Sequence, residues 1–328
     1  AGGKVYVPLE RNGRMVDTAT PKFAKMVSFK YAMQSGDTVA RDLRENHGRV
    51  ISKKYIQKIG AKIGEIMVEK ETIWHYDNKV GEQQVKIIAA GRDGTRVNIK
   101  GEGWSEVMVG TLAVYDEEGK RKHTLYMGCA PEKGKMTYDH IFNKMLEEYK
   151  EKYPLTKKIG IADGAIDNWN YLIPRTDVQI LDYYHALQYL EKFAITCIKN
   201  DSQQAWFKRH RRLLKNNLQG ADLCIRAMTD IYKDLKGKKA NEDGLICINY
   251  FRKYKDKMKY KSYQNQLWPI GSGVTESACK SMVKIRMGGP GMRWTRLSVD
   301  NILMARGLIL SNYWRQFWKK FDAYGCAA

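Results

Sequence analysis

The sequence predicts an α/β fold: a mixed sheet at the core, a helical region ahead of it and an all-helical segment interrupting it. Two changes of apolar rhythm carry this expectation. Helical spacing gives way to strand-like runs near residue 84, and strand signals vanish again between about 198 and 263. A third observation is that two apolar runs end on aspartates in an otherwise basic chain. Hydrophobic residues make up 43% of the 328. That length exceeds the usual ~100–200 residues per domain, so one core with an added piece is the natural organisation.

Residues 20–71 read as helices, with Phe23, Met26 and Val27 on the apolar stripe of the first. The second starts near Ser35, where Asp37 can cap 39–45, and the third starts at Ser52, which can cap 53–68. Two short helices joined through 46–48 and followed by a longer basic one read as a helix-turn-helix. Lys53, Lys54, Lys58 and Lys62 would then face a groove or phosphates. A three-helix packing unit that binds nothing gives the same pattern.

Strands follow at 85–93, closing on Asp93 before Gly94, then at 106–115 and 123–127, with polar turns at 101–103 and 116–119. A helix at 136–152 comes next, then a strand at 158–163 closing on Asp163, a short helix at 167–172 and a strand at 178–181. Three meandering strands, a helix, a strand, a helix and a strand is the element order of a ribonuclease H-like fold. In that order the first and fourth strands lie side by side at the centre, so their terminal acids meet. The expected organisation is a helical DNA-binding region at 1–84, the first part of the core at 85–197, a helical insertion at 198–263, and the second part of the core with the C-terminal helices at 264–328.

The formal net charge is +21 and the pI about 9.6, the electrostatic footprint of a polyanion partner, with nucleic acid the leading candidate. No apolar run approaches ~20 residues and no signal-peptide pattern is present, so no membrane partner is expected. Six cysteines, scattered without a Cys-x-x-Cys pair, read as reduced core residues, which argues against structural zinc and for a cytoplasmic, nucleoid-associated protein. The start at Ala1 without methionine suggests a segment upstream.

Between 199 and 263 there are 17 Lys and Arg against 7 Asp and Glu. Such a run is commonly a solvated face. Here Lys208, Arg209, Arg211 and Arg212 adjoin Trp206 and Phe207, and the lysines from 253 to 261 alternate with Tyr254, Tyr260 and Tyr263. That mixture favours backbone contact and base stacking.

The chemistry rests on Asp93, Asp163 and Glu276. Glu276 follows a Gly-Ser-Gly turn at 271–273 and opens a helix through 284, so Glu276, Cys279 and Val283 share a face. Two aspartates and a glutamate offer hard oxygen ligands suited to Mg²⁺ or Mn²⁺, and two such ions about 4 Å apart can clamp both oxygens of a phosphodiester displacement. Against this, Asp-Gly is common turn chemistry. Asp182 and His185, at i and i+3, face one side of the next helix, where they could orient DNA, a carboxylate or a water. Lys280 and Lys284, one and two turns beyond Glu276, suit phosphates, as does Arg293 beside the 288–291 loop; solvated helix charge accounts for the two lysines equally well. Trp169 at the mouth of the site, and Trp294, Trp314 and Trp318, read by default as packing residues.

Taken together, Asp93-Gly94 with Gly103-Trp104, the stretch 161–165 around Asp163, the stretch 181–187 around Asp182 and His185, the Gly-Ser-Gly-x-x-Glu of 271–276 and the stretch 291–294 resemble the ISKra-type insertion-sequence transposases. These are relatives of the Mutator-like transposases with a DDE triad, and the likeness runs from about Pro8 onward. It implies a DNA transposase that cleaves and joins phosphodiesters at transposon ends. Asp93, Asp163 and Glu276 would be the metal-binding triad, Asp182 and His185 the family's Asp-x-x-His element. DNA would be the partner of a homo-oligomer, with no small-molecule substrate. A transposase-derived protein that binds DNA without cutting it, and another ribonuclease H-like nuclease, remain alternatives.

Overall fold

The computed structural model describes residues 13–235 and 238–324; the start of the family likeness at Pro8 and the cysteine Cys326 lie outside them. The chain forms α1 (Pro21–Met33), α2 (Gly36–His47) and α3 (Lys53–Lys70), then β1 (Ile87–Ile99), β2 (Gly103–Tyr115), β3 (Arg121–Cys129), α4 (Met136–Lys152), β4 (Lys157–Ala162), α5 (Ile166–Leu172) and β5 (Val178–Leu181). Helices follow: α6 (Tyr183–Cys197), α7 (Asn200–Asn216), α8 (Gly220–Lys233), α9 (Lys238–Tyr254) and α10 (Tyr260–Asn265). Next comes α11 (Gly273–Ala278), prolonged by a π-helical turn at Cys279–Lys284 and a last α turn at Ile285–Met287, then α12 (Arg296–Leu310) and α13 (Trp314–Tyr324). The protein is thus mixed α/β, and no helix among the described residues is long and apolar enough to cross a membrane.

The five strands are ordered β3-β2-β1-β4-β5. The meander β1–β2–β3 is antiparallel, while β4 and β5 run parallel to β1, each reached through a helical crossover. The central strands are buried on both faces, with Ile88, Leu112, Val114 and Ile159 at 0% exposure, as near-continuous apolar runs require.

The structure corrects the expected end of the first strand. Asp93 does not close β1 but stands in the middle of a 13-residue strand that continues through Gly94 to Ile99. Gly94 is admitted there because the Glu106 side chain lies across it: a Cβ on Gly94 would fall 2.5 Å from Glu106 Oε1.

The N-terminal helices begin on capping hydroxyls, with Thr20, Ser35 and Ser52 accepting from the backbone N–H groups of Phe23, Thr38 and Tyr55. The cap of α2 is therefore Ser35, and Asp37 instead pairs with Lys53. Their apolar faces join the core cluster that holds the strands, with Val27, Leu43, Ile59 and Ile63 fully buried. Residue 84 ends a short 3₁₀ turn and does not separate two cores.

Two buried cations fasten this seam. The Arg306 guanidinium donates to the Ala32 carbonyl at 2.7 Å and to the Ser281 carbonyl. Arg286 donates to the Tyr31 carbonyl at 3.0 Å, between the rings of Tyr31 and Trp294. Both meet the C-terminal end of α1, where a helix presents partial negative charge.

Candidate active site

The parallel register sets the geometry. Gly91 on β1 pairs with Ile161 on β4. Two residues further along each chain, Asp93 and Asp163 come level on adjacent strands, Asp163 just past the end of β4. Both are partly exposed, and residues 91 and 93 share a sheet face by the two-residue period.

Helix α11 crosses that face. A Cβ on Gly91 would fall 2.0 Å from Thr275 Oγ1, so only glycine lets α11 lie this close. The Thr275 hydroxyl also bonds Thr111 on β2 at 2.8 Å. Glu276 and Cys279 are thereby held over β1, and the Cys279 thiol donates to Asp93 Oδ2 at 3.5 Å. Cys279 is buried as expected of a core cysteine but also belongs to the site. Glu276 and Cys279 both approach Asp93, Glu276 exposed and Cys279 buried, and the helix continues from Cys279 as a π turn in which Val283 is buried.

Burial raises the Asp93 carboxyl above its ordinary range. The Gly94 N–H and the Cys279 thiol work the other way, and the negative charges of Asp163 and Glu276 add to the rise. Asp93 therefore feels both other acids. Among the described residues no three His, Cys, Asp or Glu side chains stand close enough together to enclose a metal ion as they lie. The donor set nonetheless suits a hard divalent cation, because a positive charge would offset the repulsion that Asp93 experiences.

Around this trio the anchoring is specific. Asp163 Oδ1 accepts from the Ala165 N–H and from Asn168 Nδ2, each at 3.0 Å. Asp182, 1% exposed, caps α6 by accepting from the His185 N–H at 2.6 Å. Its other oxygen accepts from the Ser272 N–H and, at 2.6 Å, from the Ser272 hydroxyl. Ser272 Oγ also lies 2.9 Å from Glu276 Oε1. Asp182 fixes Ser272 through the backbone N–H, and the single Ser272 hydroxyl proton can go to Asp182 or to Glu276, while the His185 ring sits at 5.7 Å from Tyr189 and 6.1 Å from Tyr250.

The basic candidates divide. Lys53 is tied to Asp37 at 2.6 Å and Lys58 to Asp17 at 2.8 Å; Lys54 is exposed without an ion pair among the described residues. Lys208, Arg209, Arg211 and Arg212 on α7 are exposed and make no ion pair among the described residues, three of them lining an open depression of about 540 Å³ with Asn216 and Asn217. Lys280, Lys284 and Arg293 are exposed, and Lys284 is near enough to lower the Cys279 thiol, which burial and Asp93 push up.

The expected stacking role of the insertion's tyrosines is corrected: Tyr254, Tyr260 and Tyr263 are all buried. Their hydroxyls donate to the carbonyls of Gly164, Leu181 and Asp256. Trp169, Trp314 and Trp318 are buried packing residues, Trp169 beneath the Lys257 ammonium at 5.3 Å. Sequence reasoning missed Ser272 and Asn168 as partners of the acids, and also Tyr250, which it read only as part of the helical insertion. No described protein family matches the chain, and neither does any curated protein sequence.

Proposed function

We propose that the chain is a DNA transposase with a ribonuclease H-like core, cleaving phosphodiesters at transposon ends and joining them to a target. The observation that carries this reading is the level placement of Asp93 and Asp163 on adjacent central strands, with Glu276 brought across β1 by α11. The strand order 3-2-1-4-5 supports the choice of core, and the excess of positive charge supports a polyanionic substrate. The triad would hold Mg²⁺ or Mn²⁺, two ions in the full site, which supply activation of water or a DNA 3′-hydroxyl and neutralisation of developing charge.

The chain's own residues do the rest. Asp93, with one oxygen held by the Gly94 N–H and the other by Cys279, presents a fixed carboxylate. Ala165 and Asn168 hold Oδ1 of Asp163 and so fix where that carboxylate sits beside Asp93. Asp182 holds Ser272 by its backbone N–H, and the Ser272 hydroxyl, when turned to Glu276, orients that carboxylate. Lys280, Lys284 and Arg293 are exposed and suit the DNA backbone, as do the cations of α7, which have no acidic partner among the described residues. In this reading α1–α3 are the helix-turn-helix-like part, and the protein works as a homo-oligomer on DNA in the cytoplasm.

Asp163→Asn removes the ligand charge while keeping the Asn168 contact. We expect divalent-dependent cleavage of transposon-end DNA to fall at least ~1,000-fold with duplex binding retained, since catalysis through the cations is lost but phosphate contacts are not. Undiminished cleavage in this variant rejects the reading. A wild-type protein that shifts DNA but never cuts it, whatever the cation, points instead to a non-catalytic transposase-derived binding protein.

A further inference from the structure

Where the helical insertion touches the acidic corner, one buried hydroxyl has no partner. Tyr250 of α9 stacks on Tyr189 of α6 with ring centroids 3.6 Å apart and planes 5° from parallel. Its hydroxyl is shielded from water, yet no hydrogen bond reaches it among the described residues. The neighbouring hydroxyls are not treated this way: Tyr254 donates to the Gly164 carbonyl at 2.7 Å, Tyr260 to Leu181 at 3.1 Å and Tyr183 to Arg211 at 3.2 Å. Among the described residues the orphaned donors of this seam are thus the Tyr250 hydroxyl and, beside Tyr254, the Trp169 indole N–H. Leaving a buried hydroxyl unpaired costs free energy that a phenylalanine would avoid.

The hydroxyl points at the residue beside Asp163. A Cβ on Gly164 would lie 2.6 Å from Tyr250 Cε2 and 2.9 Å from the hydroxyl oxygen, so the approach needs glycine immediately after the aspartate. Burial, then the adjacent Tyr189 and Tyr254, then the charges of Asp163 and Asp182 hold the phenol well above its ordinary range, which places it within the field of both carboxylates. Asp163 has a matching vacancy. Its Oδ1 takes both the Ala165 and Asn168 bonds, and no hydrogen bond reaches Oδ2 among the described residues.

We propose that Tyr250 is a positioning residue for Asp163: its hydroxyl supplies the second anchor of that carboxylate through one bridging water, making the helical insertion part of the catalytic apparatus. A shielded donor and a half-exposed acceptor, neither with a hydrogen bond among the described residues, are the partners such a water requires. With Oδ1 fixed by α5 and the carboxylate plane fixed from α9, Asp163 is held in a single orientation toward the site. This rests on the reading of Asp163 as a cation ligand.

The test compares the full-length wild type with Tyr250→Phe and Asp163→Asn. Mn²⁺ uptake is followed by the loss of the free-ion spin-resonance signal, and the Mn²⁺-induced rise in unfolding midpoint is recorded for each protein against its own cation-free sample. Phenylalanine keeps the stack on Tyr189, and taking the midpoint as a difference cancels any change in basal stability. We expect Tyr250→Phe to weaken Mn²⁺ binding roughly 10-fold, as loss of a group orienting a metal ligand does, and to shrink the Mn²⁺-induced rise, with Asp163→Asn more severely affected. Wild-type affinity in Tyr250→Phe alongside impaired Asp163→Asn overturns the role of Tyr250 and leaves the triad standing. Equal uptake by all three proteins, or none by the wild type, overturns the triad and this inference together.

Discussion

On α3, Lys53 reaches Asp37 at 2.6 Å, Lys58 reaches Asp17 at 2.8 Å and Lys62 reaches Glu65 at 3.3 Å, whereas on α7 four exposed cations between 208 and 212 have no acidic partner among the described residues. The two helices look alike in sequence, each a basic amphipathic stretch. Their surroundings differ. The lysines of α3 are engaged mostly by acids of the N-terminal region itself, and the opposite face of the helix is sunk in the core. The cations of α7 open onto solvent around a depression. Net positive charge is therefore a poor guide to where a polyanion docks: what counts is charge left unneutralised by the fold.

The largest expected effect tests whether α3 is a packing element. Gly64 lies within this helix, where alanine ordinarily gains about 1 kcal/mol over glycine. Here a Cβ would sit 2.4 Å from Asn301 Cβ and 2.9 Å from the Asn301 Cα on α12. Gly64→Ala should accordingly destabilise the protein by about 2–3 kcal/mol through overpacking, read as a lowered midpoint in urea at unchanged slope. A neutral or stabilising outcome would mean that α3 is docked loosely, and the contrast between the helices would fade.

The next effect sharpens the electrical contrast. Replacing Arg209 and Arg212 together with alanine should weaken duplex DNA binding roughly 10-fold at physiological salt and reduce the salt dependence of log K by about two units of slope. The matched pair Lys53→Ala with Lys58→Ala should cost roughly twofold or less. Fluorescence anisotropy across a salt series measures both, and a larger loss from the α3 pair would reverse the assignment.

The smallest effect lies where α3 meets the sheet. Glu71 lines a cavity of about 120 Å³ with Trp74, Leu125, Met145 and Leu308. Burial, reinforced by the charge of Asp300, pushes its carboxyl up to about 8. The native state thus holds a proton that the unfolded chain releases above about pH 4.5, so stability present in full below that pH is lost as pH rises through about 8. Glu71→Gln should match the wild type near about pH 5 and exceed it by about 1–2 kcal/mol near about pH 8.5, measured by denaturant unfolding at both. Equal stabilities at the higher pH would show that the carboxyl is hydrated after all.

Much of the sheet could be read from the chain because its strands are short apolar runs bounded by turns: 178–181 and the helix 136–152 fall where periodicity puts them. The end of β1 could not be read. Gly94 signals a stop locally, yet the pairing with β2 runs on through Gly94↔Met108 to Ile99↔Gly103, a register set by the partner strand. The acids of the site were legible as residue types after strands, and the Gly-Ser-Gly turn flagged Glu276. Their partners were not, since Ser272 meets Asp182 across 90 residues and Cys279 meets Asp93 across 186. The tyrosines from 254 to 263 misled in the opposite direction, because aromatic residues among lysines signal stacking surface and core equally until burial is known.

Arg286 and Arg306 have a bearing on how this protein could have been assembled. Each guanidinium arises from the C-terminal third of the chain and spends its hydrogen bonds on carbonyls at the far end of the first helix, with Arg306 also gripping the turn that follows Glu276. Cutting away the leading helices would strand two cations in an oily seam beside the glutamate. The front of the molecule is consequently no detachable module to be swapped between relatives, and any lineage that replaced it would have had to rebuild both arginine sockets in the same stroke.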